Sequence, residues 1–365
     1  MRWFLTAILL VHGLIHLMGP VKALGLAPLP QLSKPISLAM GAVWLLAAVL
    51  MFAALTALWL WPRGFWALAL LAVIFSQLMI VSAWPDAKFG TLANAVILVP
   101  TIAGFLMFGP LSLHEQLLRD SSALRAAEPV TVTENDLARL PAPVATYLRR
   151  VGVVGQPRVQ SYSLRFYGRI RATSHDKWMP FRAEQVSFTN PPTRLFWMHA
   201  TKAGLPVAVY HRFVGGEATM HVKLLGAISM VDARGAVMDR SETVTLFNDM
   251  CILAPASLLG PHIDWEPVDA HTAKAHFSLG QNTITATLIF GDNGLLRDFI
   301  SDDRSRLSAD GKSAEKLRFS TPVRDYRKFG PVLLASHGEA RWHAPDGDYA
   351  YGEFELVDLT YNKRR

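Results

Sequence analysis

The sequence predicts an α + β membrane protein: a four-helix transmembrane module followed by a mostly antiparallel β half-barrel with one packed amphipathic helix. Three observations predict it. Charge is sparse in the first 110 residues, which carry five of the 36 Lys and Arg and a single acid, Asp86. Four long apolar runs fill that stretch. From Val159 onward the hydrophobic period becomes two, broken once by a segment of helical period from Met238 to Leu259.

Composition supports the division. The 365 residues have a mean hydropathy of +0.24 and are 51% hydrophobic, high for a wholly soluble chain. The formal net charge of +7 divides into +4 before residue 111 and +3 after it. The second part is therefore nearly balanced and has no basic run, which argues against nucleic acid despite a pI near 9.6. A single cysteine, Cys251, excludes an intrachain disulfide and a Cys-based zinc site. It reads as a small buried core residue, with no basic neighbour apparent to activate its thiol.

The expected spans are residues 3–19, 36–61, 65–84 and 91–109, each near the ~20 helical residues that a ~30 Å hydrocarbon core requires. The first run starts like a signal peptide, but no small-residue cleavage site precedes polar sequence, so it is expected to be retained. Trp44, Trp59 and Trp61 suit helix packing or an interface belt, Pro62-Arg63-Gly64 makes a tight hairpin, and Pro100 is the expected kink. Arg2, Arg63, Arg119 and Arg125 mark one side of the membrane, and Lys22, Lys34 and Lys88 the other. The positive-inside rule then leans toward a cytoplasmic N-terminus and a cytoplasmic β-rich domain in a multi-pass cell-membrane protein.

His12 and His16 lie four apart, on one face of the first helix. Such a pair could ligate a metal or haem iron, or relay protons. No intramembrane acid accompanies them, so interhelical hydrogen bonding to Gln77 or Asn94 is the favoured reading, with Gly13 and Gly19 allowing close approach. His12, His16, Gln77 and Asn94 form the candidate intramembrane polar site. Asp86 and Lys88, in the loop Trp84 to Gly90, are read as anchors for neighbouring helices.

Residues 1–110 are expected as the transmembrane domain, 111–155 as a juxtamembrane helical linker, and 156–365 as the β-rich domain. In the linker, Leu111 to Ala127 reads as an amphipathic helix, interrupted at Glu128-Pro129. Thr133 followed by Asp136 reads as a helix start, and Pro141 and Pro143 should break that helix before Gly152. In the first strand Tyr162, Leu164, Phe166, Gly168 and Ile170 alternate with Ser163, Arg165, Tyr167, Arg169 and Arg171. About ten strands in meander order follow, with hairpin signals at Gly215-Gly216, Asp292-Asn293-Gly294, Asp310-Gly311 and Asp346-Gly347.

The mid-chain helix has an apolar stripe at Val244, Phe247, Met250, Cys251, Leu253 and Ala254. Glu242, Thr245, Asn248 and Asp249 form its polar face, read as wet. The stripe must pack on the concave side of the sheet, an arrangement that can leave an apolar cavity. Phe247, Met250, Leu253, Phe166 and Phe277 are the candidate ligand-binding residues.

Val11 to Leu26 (VHGLIHLMGPVKALGL), Trp84 to Asn94 (WPDAKFGTLAN) and Ser241 to Leu259 (SETVTLFNDMCILAPASLL) resemble an uncharacterised family of bacterial multi-pass membrane proteins. That resemblance implies no activity, so no catalytic residue carries over. By strand count and its one helix, the β-rich part also resembles the half-barrel of LolA-like lipoprotein carriers. Those carriers work outside the cytoplasm, against the orientation that the charges favour.

No Walker sequence, dinucleotide fingerprint, metalloprotease helix or nucleophile elbow occurs. His337, Glu339, Arg341 and His343 alternate along one strand. Arg341 would repel a cation and pairs more naturally with Glu339, so the row reads as a solvated face. Asp302-Asp303 beside Arg304 and Arg306 reads as a charged turn or strand end. No catalytic residue, metal site or cofactor is assigned. The leading expectation is a membrane-anchored module that binds a lipid or other apolar ligand. Its partners would be membrane lipids, an apolar small molecule or a membrane protein. The alternatives are a membrane redox or metal/haem-binding protein using His12 and His16, and a non-catalytic scaffold or assembly factor.

Overall fold

The computed structural model describes residues 2–124, 130–308, 311 and 313–363. Arg125, the Glu128-Pro129 break, Asp310 and the end of the expected linker helix lie outside them. The chain divides into two compact units, Met1–Glu115 and Gln116–Arg365.

In the first unit the helices are α1 (Arg2–His16), α2 (Met18–Ala23), α3 (Leu38–Leu60), α4 (Phe65–Ser82), the short α5 (Trp84–Ala87) and α6 (Gly90–Phe108). Four stretches are long and apolar enough to cross a membrane: α1 with α2, α3, α4 and the one that begins with α6. Small side chains at the contacts let the helices approach closely, with Ala47, Ala54, Ala69 and Ala72 fully buried. Gly19 is required where α2 meets α3, since a Cβ there would stand 2.2 Å from Cγ of Trp44. Trp44 is buried in this packing, whereas Trp59 and Trp61 are exposed. The helix α6 continues through Pro100.

The chain crosses between the units in α7 (Leu113–Ser122). A capping box between Thr133 and Asp136 starts one 3-10 turn, Glu134–Leu137. The helix α8 (Ala142–Val151) follows Pro141 and ends at Gly152, whose φ of +80° is the left-handed cap that glycine accepts. This is the broken helix that the two prolines imply, and it buries Val144, Tyr147 and Leu148 in the second unit.

The strands are β1 (Ser161–Ile170), β2 (Met179–Thr189), β3 (Pro192–Lys202), β4 (Leu205–Val214), β5 (Glu217–Leu224) and β6 (Ile228–Arg234). The helix α9 (Ala236–Leu253) comes next. It is followed by β7 (Ile263–Pro267), β8 (Thr272–Leu279), β9 (Asn282–Phe290), β10 (Leu296–Leu307), β11 (Ala314–Ser320), β12 (Val323–Phe329), β13 (Val332–Ala344) and β14 (Gly347–Tyr361). Thirteen of the described strands run in the order β6-β5-β4-β3-β2-β1-β14-β13-β11-β10-β9-β8-β7, with β12 paired to β13. All the pairs are antiparallel, and the sheet forms a half-barrel.

The order corrects the simple meander. The first and last strands pair with each other, Tyr162 opposite Tyr361 and Phe166 opposite Leu356, so the order ends at β6 and β7, on either side of α9 in sequence. The segment expected as one strand from Glu217 to Val231 is two, turned at Leu225 (φ +56°) and Gly226 (φ +73°). At one rim the β4–β5 and β8–β9 turns meet, Asn282 Nδ2 donating to the Gly216 carbonyl at 3.1 Å.

Alternation decides the faces of the sheet. In β1, Tyr162, Leu164 and Phe166 are buried while Arg165, Tyr167 and Arg169 are exposed and carry the outer face. The helix α9 packs on the concave side against β5, β6, β9, β10 and β13. Phe247 stacks on Phe277 at 5.0 Å and meets Phe299 edge-on at 5.9 Å. Cys251 is buried in the same core, and burial pushes its thiol pKa well up, so it is a packing residue.

Candidate functional site

The wet helix face expected at Glu242, Thr245, Asn248 and Asp249 is buried. Every residue from Ser241 to Asp249 is inside the unit. The cause lies on the sheet. On β3, Arg194, Phe196 and Met198 share the concave face, so a guanidinium occupies a position that the pattern reserves for an apolar side chain.

Arg194 Nε donates to Asp249 Oδ2 at 2.7 Å and Nη1 to Glu242 Oε2 at 3.3 Å. The two acids are seven residues apart, about 10 Å along the axis, and the guanidinium bridges them. On β4, His211 brings Nδ1 to 3.3 Å from Glu242 Oε1. Gln185 of β2 donates to Asp249 Oδ2 at 2.8 Å.

Burial opposes ionisation of Glu242, but His211, Arg194 and Arg304 together outweigh it and hold its carboxyl down at about 2. Burial likewise opposes the charge on Arg194, and Asp249 and Glu242 keep its pKa raised. The helix is thus fixed to the sheet by paired charges as well as by its apolar stripe.

Beside this cluster lies a cavity of about 170 Å³. Phe166, Phe196, Met198, Ile252, Leu253 and Phe354 supply apolar wall. Its polar end holds Arg194, His211, Glu242, Asn248, Arg304 and His337. Arg304 lies within β10 rather than in a turn. Its guanidinium is 4.2 Å from the Phe319 ring centroid and also faces Trp342 and Tyr351, and Nη1 donates to the Tyr351 hydroxyl.

Five residues of this lining, His211, Asn248, Arg304, Thr321 and His337, each have one fully buried side-chain nitrogen or oxygen with no hydrogen-bond partner among the described residues: Nδ1, Oδ1, Nε, Oγ1 and Nε2. A second cavity, of about 300 Å³, is lined by Tyr162, Phe188, Leu246, Met250, Leu259 and Phe277 among others.

The five candidate ligand residues are therefore divided. Phe166 and Leu253 line the first cavity, Met250 and Phe277 the second, and Phe247 lines neither because stacking seals it in the core. Arg194 and His211 were not singled out from the sequence, and Arg304 was read only as part of a charged turn or strand end. The available signal was a charged residue in register with Phe196 and Met198.

The row on β13 is broken by a register shift between Ala340 and Arg341. Arg341 pairs with Glu339 at 2.7 Å, and His343 meets Asp348 at 2.7 Å and Ser320 at 2.8 Å. His337, expected on the solvated face, instead lines the first cavity.

In the helical unit the four intramembrane candidates do come together, around Ser76 of α4. His12 and His16 place Nε2 at 2.9 and 2.8 Å from Ser76 Oγ, and His12 Nε2 is also 3.1 Å from Asn94 Oδ1. Asn94 Nδ2 donates to Gln77 Oε1 at 3.0 Å, and Gln77 Nε2 to Thr91 Oγ1 at 3.1 Å. Ser76 and Thr91, which complete the network, were missed because hydroxyls in an apolar run give no periodic signal. No group of three or more His, Cys, Asp or Glu able to hold a metal occurs among the described residues.

Asp86 accepts from the Ser33 N–H at 2.7 Å and from its hydroxyl. These bonds hold its carboxyl below the usual carboxylate range and make Asp86 a loop anchor.

Fold and site define a β half-barrel with a charged helix buried in its concave side, in a chain whose other unit is built of membrane-length apolar helices. The chain belongs to the family of unknown function DUF6544, whose model matches residues 130–354. No curated protein matches it.

Among solved structures it is similar to a DUF1329 family protein from Desulfovibrio piger, at 14% identity and a TM-score of 0.34, over 61% of this chain and 94% of that one. It is also similar to a LolA superfamily protein from Nitrosomonas europaea, at 10% identity and a TM-score of 0.33, over 61% of this chain and 94% of that one. The latter is of the group whose half-barrel the strand count suggested.

Proposed function

We propose that the β-rich unit binds a small apolar or amphipathic molecule, drawn from membrane lipids or their products, in the cavity between α9 and the sheet. One observation carries this reading. Space walled by Phe166, Phe196, Met198, Leu253 and Phe354 ends at Arg194, Glu242, Asn248 and Arg304, so it is apolar along its length and polar at one end. A guest with an apolar body and a polar end matches it. A volume of about 170 Å³ is close to the ~150 Å³ that accommodates benzene in an apolar cavity. The site fits a small molecule or one end of a longer chain. The helical unit keeps the binding unit at the membrane, and the charge distribution favours the cytoplasmic side.

The full chain, purified in mild detergent, is the material for the test. Native mass spectrometry with organic extraction should find a co-purified guest. Ala335→Leu, which fills the cavity wall, should lower its amount several-fold with little change in Tm. A guest-free protein that also takes up no added amphiphile would overturn the reading. An activity-dependent reporter fused at the C-terminus gives the side of the membrane, and a signal from the extracytoplasmic side would reverse the orientation.

A further inference from the structure

The β3–β4 and β5–β6 turns lie at one rim of the half-barrel, at the other end of these strands from the Gly215-Gly216 turn. Tight hairpin turns hold residues at positive φ, which glycine and asparagine accept most readily. Gly215 and Gly216 follow that rule, at φ +61° and +100°. At the other rim Ala203 (φ +50°) precedes Gly204, and Leu225 (φ +56°) precedes Gly226. A leucine in the left-handed region is strained, so this turn carries a large apolar tip where asparagine or glycine would sit more easily.

The neighbours of that tip are apolar and exposed as well. Leu205 is in step with Val207, which stands opposite Leu224, which in turn stands opposite Ile228, so all share one face of the sheet. Leu205, Ile228 and Met230 are 45%, 54% and 50% exposed. An exposed apolar cluster rimmed by charge marks a contact with a protein or a membrane.

Two features select a bilayer. Lys202 stands opposite Leu205, and Lys223 precedes the Leu224-Leu225 tip. Neither lysine has an ion-pair partner among the described residues. Of the acids in the same region, Asp176 is held by Thr173, and Asp232 lies 3.5 Å from His221. Lysines beside apolar tips reach lipid phosphates while the tips enter the acyl boundary. The chain also has four stretches long and apolar enough to cross a membrane, which would hold the rim at a high effective concentration of lipid.

We propose that this rim docks on the bilayer surface, with Leu205, Leu225, Ile228 and Met230 in the interface and Lys202 and Lys223 at the phosphates. The proposal rests on the membrane tether of the reading above and needs no guest in the cavity.

The full chain is reconstituted into vesicles of phosphatidylcholine and phosphatidylglycerol, with one nitrobenzoxadiazole label per variant. Leu205→Cys and Ile228→Cys report the rim, Gln281→Cys the opposite rim, and Leu45→Cys, exposed on α3, the helical unit. Wild type, whose Cys251 is buried, is the labelling blank. Lipid with a nitroxide on its acyl chain should remove half or more of the fluorescence at positions 205, 228 and 45, and leave position 281 bright. Adding Ile228→Glu and Met230→Glu to Leu205→Cys should abolish the quenching at 205.

Bright labels at 205 and 228 beside a quenched label at 45 would overturn the docking and leave the membrane tether standing. So would equal quenching at 281, or quenching at 205 that the two glutamates do not change. A bright label at 45 would remove the tether and the docking together. Rim labels that dim one another without nitroxide lipid would assign this surface to a second copy of the chain and overturn the proposal.

Discussion

Arg194 of β3 and Asp249 of α9 form a buried ion pair, Nε to Oδ2 at 2.7 Å, with side chains only 9% and 12% exposed. Removing one member of such a pair strands the other charge and typically costs about 3–5 kcal/mol, whereas replacing the whole set with apolar groups of similar volume is often neutral. Arg194→Met should therefore lower the stability of the β-rich unit by about 3–5 kcal/mol in denaturant titrations followed by tryptophan fluorescence. Joint replacement of Arg194, Glu242 and Asp249 by Met, Leu and Leu should cost much less. A triple variant as unstable as the single one would mean that the charges are not what determines the loss.

Two acids of this unit respond to pH in opposite senses. Burial lifts Asp298 from the ordinary 3.8 to about 6. Its ionised form is the penalised one, so stability is unaffected below about pH 4 and falls as pH rises toward 6. Asp298→Asn should remove that fall, and its advantage over wild type should grow by about 2–3 kcal/mol between pH 4 and 7. Glu242 is held down at about 2 from 4.5. Its contribution is complete above pH 4.5 and is lost as pH drops toward 2, so Glu242→Gln should flatten the acid limb only. Melting curves across pH 2–8 separate the two windows.

Gly19 and Trp44 set the approach of α2 to α3. A methyl at position 19 would fall 2.2 Å from the Trp44 ring, a distance that demands repacking. Gly19→Ala should destabilise the helical unit by about 1–3 kcal/mol, read by SDS titration of the purified protein. Adding Trp44→Ala should recover part of that loss, which a backbone effect of the alanine would not allow.

Ser76 serves three partners, His12, His16 and Asn94. Interhelical hydrogen bonds in membranes average ~0.6 kcal/mol with a maximum near 1.7, so Ser76→Ala should cost about 1–2 kcal/mol in the same titration. Thr101, whose hydroxyl donates to the Ile97 carbonyl of its own helix, is the control, and Thr101→Ala should change little. Equal losses at both positions would remove the network from the stability of this unit.

How much could be read from the sequence followed from how strongly each element was patterned. The apolar runs, the proline-broken helix before Gly152 and the alternation of β1 each had a dominant local cause. Strand β12 did not: in Val323–Phe329 only the two end residues are buried, so no period-two signal exists. Strand β7 is five residues long and ends in a proline.

The polar side of α9 was misread for a different reason. Glu242 and Asp249 look like a solvated face until Arg194, some 50 residues earlier in the chain, is brought opposite them by strand pairing. Charge complementarity across a fold has no signature within either segment, though a lone arginine in step with Phe196 and Met198 marked one half of it.

Since β1 and β14 are hydrogen-bonded neighbours, the sheet has its covalent beginning and end sewn together at its middle and its loose margins beside the helix. Any outward swing of α9 would pull first on β6 and β7, the strands at the two ends of the sheet order. Admission of a guest would therefore loosen the outermost strands while the central seam holds its register.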